Sequence, residues 1–209
     1  MVRVKGPLLS QEASGKLGQP LVFTSRKGTA YVKKHTQPKN PNTGRQVGMR
    51  AMFKFLSQNW ADIESDYQDT WQHLADVLNA TTFNAYIQLN QTRWRNFWAP
   101  SQQHPPDETL TPDVITGETA TAGVRQITLD IDVGEESSFN WGLAIFRQTT
   151  TPVVTAWDNC IAVIFANNGN HFTHVDTPLA AGTYYYNFRP FAYKGALGGE
   201  ETEVNATVP

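Results

Sequence analysis

Between residues 41 and 63 the chain reads PNTGRQVGMRAMFKFLSQNWADI. Met49, Met52, Phe53, Leu56, Trp60 and Ile63 fall at the i, i+3/i+4, i+7 spacing that lays one apolar stripe along an α-helix. Such a stripe has to be buried against something. Two further helical patterns follow, Tyr67, Trp71, Leu74, Ala75 and Leu78, then Phe83, Ile87, Asn90, Trp94, Phe97 and Trp98, closing at Ala99-Pro100. Asn42 or Thr43 is placed to cap the first helix, Ser65-Asp66 the second and residues 79–82 the third. The expected core of this three-helix bundle is Phe53, Leu56, Trp60, Trp71, Trp94 and Trp98.

Near Pro105 the pattern changes. Residues 101–120 are rich in Pro, Thr and acid without helical period, which predicts a linker running into a first strand. Ile127, Leu129, Ile131 and Val133 then alternate with polar residues, and strand patterns recur at residues 140–146, 160–165, 183–193 and 204–208. Short strands at this spacing, with Trp141 on the third, predict an antiparallel β-sandwich over residues 121–209. On the strand after Gly182, alternation makes Tyr184, Tyr186 and Phe188 the inward set. The expected fold class is α+β in two domains: an arm (1–20), a β-hairpin with three helices (21–100), a linker (101–120) and a sandwich (121–209).

The N-terminal arm holds too many Gly and Pro for a regular element, and a neighbouring subunit is the preferred explanation of what pins it. Residues 21–24 and 29–32 flank a turn ending in Gly28, which predicts a hairpin with Lys27 at its tip. Residues 1–50 carry ten basic residues against Glu12, a net of +9, whereas residues 107–209 carry four basic against thirteen acidic residues, a net of −9. That polarity suits head-to-tail contact between copies, or an acidic partner such as nucleic acid at the basic end. Arg3, Lys5, Lys16, Arg26, Lys27, Lys33 and Lys34 are the expected contact residues, a solvated hairpin being the other reading of the same lysines.

No catalytic constellation emerges. His171 and His174 near Asp176 are read as a loop coincidence, since zinc catalysis wants three protein ligands and the other histidines lie in the other half of the chain. Asp130, Asp132, Glu135 and Glu136 lack calcium-loop spacing and read as solvated acids. Cys160, the only cysteine, reads as a small buried hydrophobe. Neither G-x-x-x-x-G-K-[ST] nor G-x-G-x-x-G occurs, and no run of about 18 apolar residues appears. The expectation is a non-enzyme with no metal, no cofactor and no membrane partner.

Residues 14–18 (SGKLG), the hairpin, residues 38–43 (PKNPNT), Gln46, Arg50, Phe53, Trp60, Trp71 and residues 83–90 (FNAYIQLN) together resemble a family of virion structural proteins of tailed phages and prophages. Members often carry an immunoglobulin-like or fibronectin-like module after the helices. Residues 179–186 (LAAGTYYY), with Gly195 and residues 203–208, are similar to the closing strands of fibronectin type III domains, although the tyrosine falls one residue early. The resemblance implies a particle component, a head decoration or head–tail protein made in the host cytoplasm, with copies of itself and other particle proteins as partners. Two alternatives stay open: a nucleic-acid binder using the basic half, and a surface adhesin binding glycan or receptor through outward loops at Trp157, Asn168, His171 and Tyr193.

Overall fold

The structure, a computed structural model, describes residues 2–3, 15–17, 21–26, 29–34, 42–134, 140–165, 170–199 and 203–209, with the backbone alone at 2–3, 15–17, 24–26 and 29–31. The fold is mixed α and β, with every described strand pair antiparallel. It divides into two compact units, residues 1–41 and 42–209.

The first unit is a four-stranded sheet. The expected hairpin forms from β3 (Leu21–Arg26) and β4 (Thr29–Lys34), with Leu21 opposite Lys34 and Arg26 opposite Thr29. The arm differs from its reading as an irregular extension. It supplies β1 (Val2–Arg3) and β2 (Gly15–Leu17), which pair with the two hairpin edges in the order β1-β4-β3-β2. The hairpin of the same chain therefore provides the backbone partners that hold these two arm segments. The expected tip residue Lys27 lies outside the described residues, as does Lys5.

The second unit is layered. A sheet of order β11-β10-β7-β8 lies in the middle, built from β7 (Asn140–Gln148), β8 (Cys160–Ile164), β10 (Gly182–Ala192) and β11 (Val204–Val208). One face packs on the sheet β5-β6-β9, made of β5 (Ile115–Gly123), β6 (Gln126–Val133) and β9 (His171–Asp176). Ile127, Leu129, Ile131, Phe172, Leu143, Ile145, Tyr186 and Phe188 share that core. Tyr186 and Phe188 point inward as alternation predicts, and Tyr184 packs against the same cluster. The strand β9 carries the histidines read from sequence as a loop.

The other face of the central sheet is covered by helices: α1 (Gly44–Asn59), a 3₁₀ turn at Trp60–Asp62, α2 (Ser65–Asp69), α3 (Gln72–Leu78) and α4 (Thr82–Arg95). Met52, Phe55, Leu56, Trp71, Tyr86 and Trp94 bury against Ala144, Phe146, Cys160, Val163 and Phe191. The helices thus close their core with the sheet, where a self-contained bundle was expected, and the hairpin lies in the other compact unit. None of the helices is long and apolar enough to cross a membrane, among the described residues.

Two expected core residues are exposed: Phe53 by 49% and Trp98 by 58%. The reason for Phe53 lies at Gly48, where a Cβ would run into the backbone carbonyl of Trp157. With no side chain there, α1 comes down on residues 157–160, so its buried line passes through Gly48, Met52, Phe55 and Leu56 and turns Phe53 outward. Leu56, Trp71 and Trp94 are buried as expected, while Trp60 is half-buried against Phe83 and Tyr86. The second expected helix breaks at Thr70-Trp71, because Thr70 Oγ1 accepts from the His104 amide at 2.8 Å and the Trp71 indole donates to the Gln102 carbonyl at 2.7 Å.

Within the stretch read as a linker running into a first strand (101–120), those bonds fix residues 101–104 to the helices. Asn90 holds Ser101 by both backbone groups, at 2.8 and 2.9 Å, and Arg93 donates to the carbonyls of Ala99 and Gly195 and to Glu108. Trp98 lies over the Arg93 guanidinium at 5.3 Å, covering it instead of joining the core. The segment is a strap fixed to α4, and its amides at Gln102 and Asp107 donate to the carbonyls of Tyr193 and Lys194.

A polar link also joins the two sheets. Asp176 of β9 accepts from Arg147 Nη1 of β7 at 2.7 Å and from the Tyr186 hydroxyl of β10 at 2.8 Å. Asp176→Ala strands both donors, and a loss of about 3 kcal/mol is expected from urea unfolding. Gly48→Ala forces α1 off its bed and should cost about 1–3 kcal/mol by overpacking, whereas Gly199→Ala, with open space around it, should leave the urea midpoint within error.

Candidate functional site

An open cleft of about 310 Å³ lies where the helices, the strap and one end of the central sheet meet. Asp62 and Glu64 enter it from the turn after α1, and Tyr67 from the first turn of α2. Trp141 stands at the start of β7 and Tyr193 just past the end of β10, brought together because β7 and β10 pair with Ala192 opposite Asn140. The strap supplies Gln102.

The walls are held by specific contacts. The Trp141 indole donates to Asn59 Oδ1 at 2.8 Å, and the Tyr67 and Tyr193 rings lie 5.7 Å apart, tilted by 52°. The Tyr67 hydroxyl is pushed up to about 12, first by its hydrogen bond with Tyr193, then by burial and by the nearby Glu64 and Asp66 carboxylates. It therefore stays a neutral donor at physiological pH. Asn140 Oδ1 accepts from the Asp113 amide at 3.0 Å, while its Nδ2, buried at the cleft, has no partner among the described residues. The chemistry on offer is two carboxylates, three aromatic faces and two amides, a set that holds a cation or a hydrogen-bonding ligand.

A second polar group lies on the outer face of β5-β6-β9. The β6–β9 register sets Asp132 opposite His171 and Asp130 opposite Thr173. His171 Nδ1 meets Asp132 Oδ1 at 2.6 Å and its Nε2 meets Thr173 Oγ1 at 3.1 Å, while Thr173 Oγ1 donates to Asp130 Oδ1 at 3.1 Å. Both ring nitrogens are engaged, and the array acts as cross-strand pairing on an open sheet face. Among the described residues no group of three or more His, Cys, Asp or Glu side chains is set to hold a metal ion. Burial pushes the Cys160 thiol up to about 12, so it is an inert core group.

The residues expected to form outward recognition loops do not converge. Trp157 is half-buried against α1, with the Arg45 guanidinium 5.9 Å from its ring centre, toward the opposite end of the central sheet from Tyr193. His171 belongs to a strand of the other sheet, and Asn168 lies outside the described residues. Of the three that are described, Tyr193 alone lines the cleft. Of the expected basic contacts, Arg3, Lys16 and Arg26 fall on β1, β2 and β3, and Lys33 and Lys34 are exposed on β4. Sequence reasoning missed Asp62, Glu64, Tyr67 and Asn140, which carry no shared motif; the clustering of acids around Tyr67 was the one available signal.

Two histidines tie stability to pH. Burial holds His104 and His174 below their ordinary 6.5, with His73 adding to the first and Asp176 opposing the shift in the second. Only the unfolded chain then binds these protons readily, so their neutral packing counts in full above pH 6.5 and is lost as pH falls below it, down to the depressed folded values. The urea midpoint should drop between pH 7.5 and pH 5.5, and His174→Gln should flatten that drop; an unchanged slope would remove His174 as a cause.

No family model matches the chain, and no curated protein matches it. Among solved structures, a β-1,2-glucanase from Parabacteroides distasonis is similar over 49% of this chain and 13% of its own, at 20% identity and a TM-score of 0.35. The spore cortex lytic enzyme SleM of Clostridium perfringens is similar over 47% of this chain and 29% of its own, at 13% identity and a TM-score of 0.33. The chain spans less than a third of either protein, and likeness at these scores carries no statement about fold family or activity.

Proposed function

We propose that this protein is a non-enzymatic structural component of a phage or phage-like particle, a head decoration or head–tail protein, that assembles through its N-terminal unit. One observation carries the reading. Residues 1–41 form a compact unit built on four short strands, yet none of its six described side chains is buried: Leu21, Lys33 and Lys34 are exposed and Val22, Phe23 and Val32 only half-buried. The unit contains no cysteine, and a sheet of about 40 residues rarely supplies its own core without a disulfide, a metal or a partner. Its net charge is +7, eight basic residues against one acidic, while residues 42–209 carry a net −9. A neighbouring copy offers both cover for the half-buried side chains and the opposite charge. In this reading the two packed sheets are a fibronectin type III-like or immunoglobulin-like sandwich, and the protein is made in the host cytoplasm and ends in the virion.

The same positive charge supports a second reading, in which the N-terminal unit lies on a nucleic-acid backbone. Light scattering behind size exclusion separates the two. Assembly predicts oligomers of the full chain at low ionic strength that dissociate as salt screens the attraction, with the absorbance ratio of pure protein. A strictly monomeric chain at low salt sinks the assembly reading, and nucleic-acid absorbance in the peak favours the second.

A further inference from the structure

We infer that the cleft between Asp62, Glu64, Tyr67, Trp141 and Tyr193 is the receptor for a lysine side chain from β4 of a second copy, an inference that rests on the assembly reading above. The cleft's own lining argues for a cation. Among the described residues, the ionised groups that line it are the carboxylates of Asp62 and Glu64, both exposed and neither in an ion pair with another described residue. The remaining wall is aromatic, and an ammonium gains most where carboxylates and ring faces are presented together. Tyr67, kept protonated, adds a neutral rim in place of a further charge.

The size fits a side chain better than a folded surface. About 310 Å³ stands at the lower end of the range for ligand sites and admits one long side chain with its water, and it is too small for a whole hairpin. On the donor side, Lys33 and Lys34 are exposed on β4, opposite Val22 and Leu21 of β3. Successive strand residues point to opposite faces, so whichever face of the sheet meets the next copy presents one ammonium. The contact joins unlike surfaces, basic strand to acidic cleft, and so runs head to tail, the type that builds rings or filaments instead of closed two-fold dimers.

Two full-length variants test it. The first, Asp62→Lys with Glu64→Lys, reverses the cleft; the second, Lys33→Glu with Lys34→Glu, reverses the strand. All four positions are exposed, and thermal unfolding of each variant checks that the fold is kept; Asp62→Asn with Glu64→Gln is the milder substitute if the first is unstable. The expected result at low ionic strength is a wild-type oligomer, two variants each monomeric alone, and a one-to-one complex when they are mixed, because each then supplies the half the other lacks. An oligomer that persists in the folded cleft variant, or that persists in the strand variant, overturns the cleft assignment while leaving assembly standing. Two monomeric variants that stay apart on mixing also overturn it. A monomeric wild type overturns the assembly reading itself, and the cleft assignment with it.

Discussion

The sheet β11-β10-β7-β8 is buried on both faces, and the organisation of residues 42–209 follows from that. A strand covered on one side alternates apolar with polar, but β7 reads Asn-Trp-Gly-Leu-Ala-Ile-Phe, with Leu143 and Ile145 in one core and Ala144 and Phe146 in the other. β10 does the same with Tyr186 and Phe188 against Tyr185 and Phe191. At about 25 cal/mol per Å² of apolar surface removed from water, leaving either face open would forfeit much of the driving force for folding. The helices are therefore the second cover of a sheet, and their aromatic stripe is matched to β7, β8 and β10 as much as to one another.

Polar groups then fix the register of what hydrophobic burial merely presses together. Apolar contact is non-directional, so it does not by itself decide where a strap crosses a helix or how two sheets are aligned. Asn90 and Arg93 decide the first, by bonds to Ser101, Ala99 and Gly195. Arg147, Asp176 and Tyr186 decide the second, across the gap between β7, β9 and β10. Buried in surroundings of low dielectric, such groups are costly unless fully paired, and the paired arrangement is what singles out one packing among many.

Much of the local structure was legible from residue spacing alone. The hairpin at residues 21–34, the helices starting at Gly44 and Thr82, the strand 126–133 and the inward set of β10 all follow from periodicity and caps, which are properties of a few neighbouring residues. What failed depended on distant partners. Phe53 turned outward because Gly48 meets a backbone carbonyl more than a hundred residues away, and the supposed linker became a strap because Asn90 reaches it. The cleft belongs to the same class: apart from the acids clustered around Tyr67, nothing along the chain groups Asp62 and Tyr67 with Asn140 and Tyr193, which come from the distant ends of β7 and β10.

Double burial also shapes how a sequence like this can drift. A substitution at Ala144 or Phe146 must suit the helices without disturbing Leu143 and Ile145 on the opposite side of the same strand, so few single changes in β7 or β10 satisfy both cores at once. The outer face of β5-β6-β9 and the water-facing sides of α3 and α4 carry no such double obligation. Divergence is thereby channelled outward, and surface identity can turn over quickly around a scaffold that changes slowly.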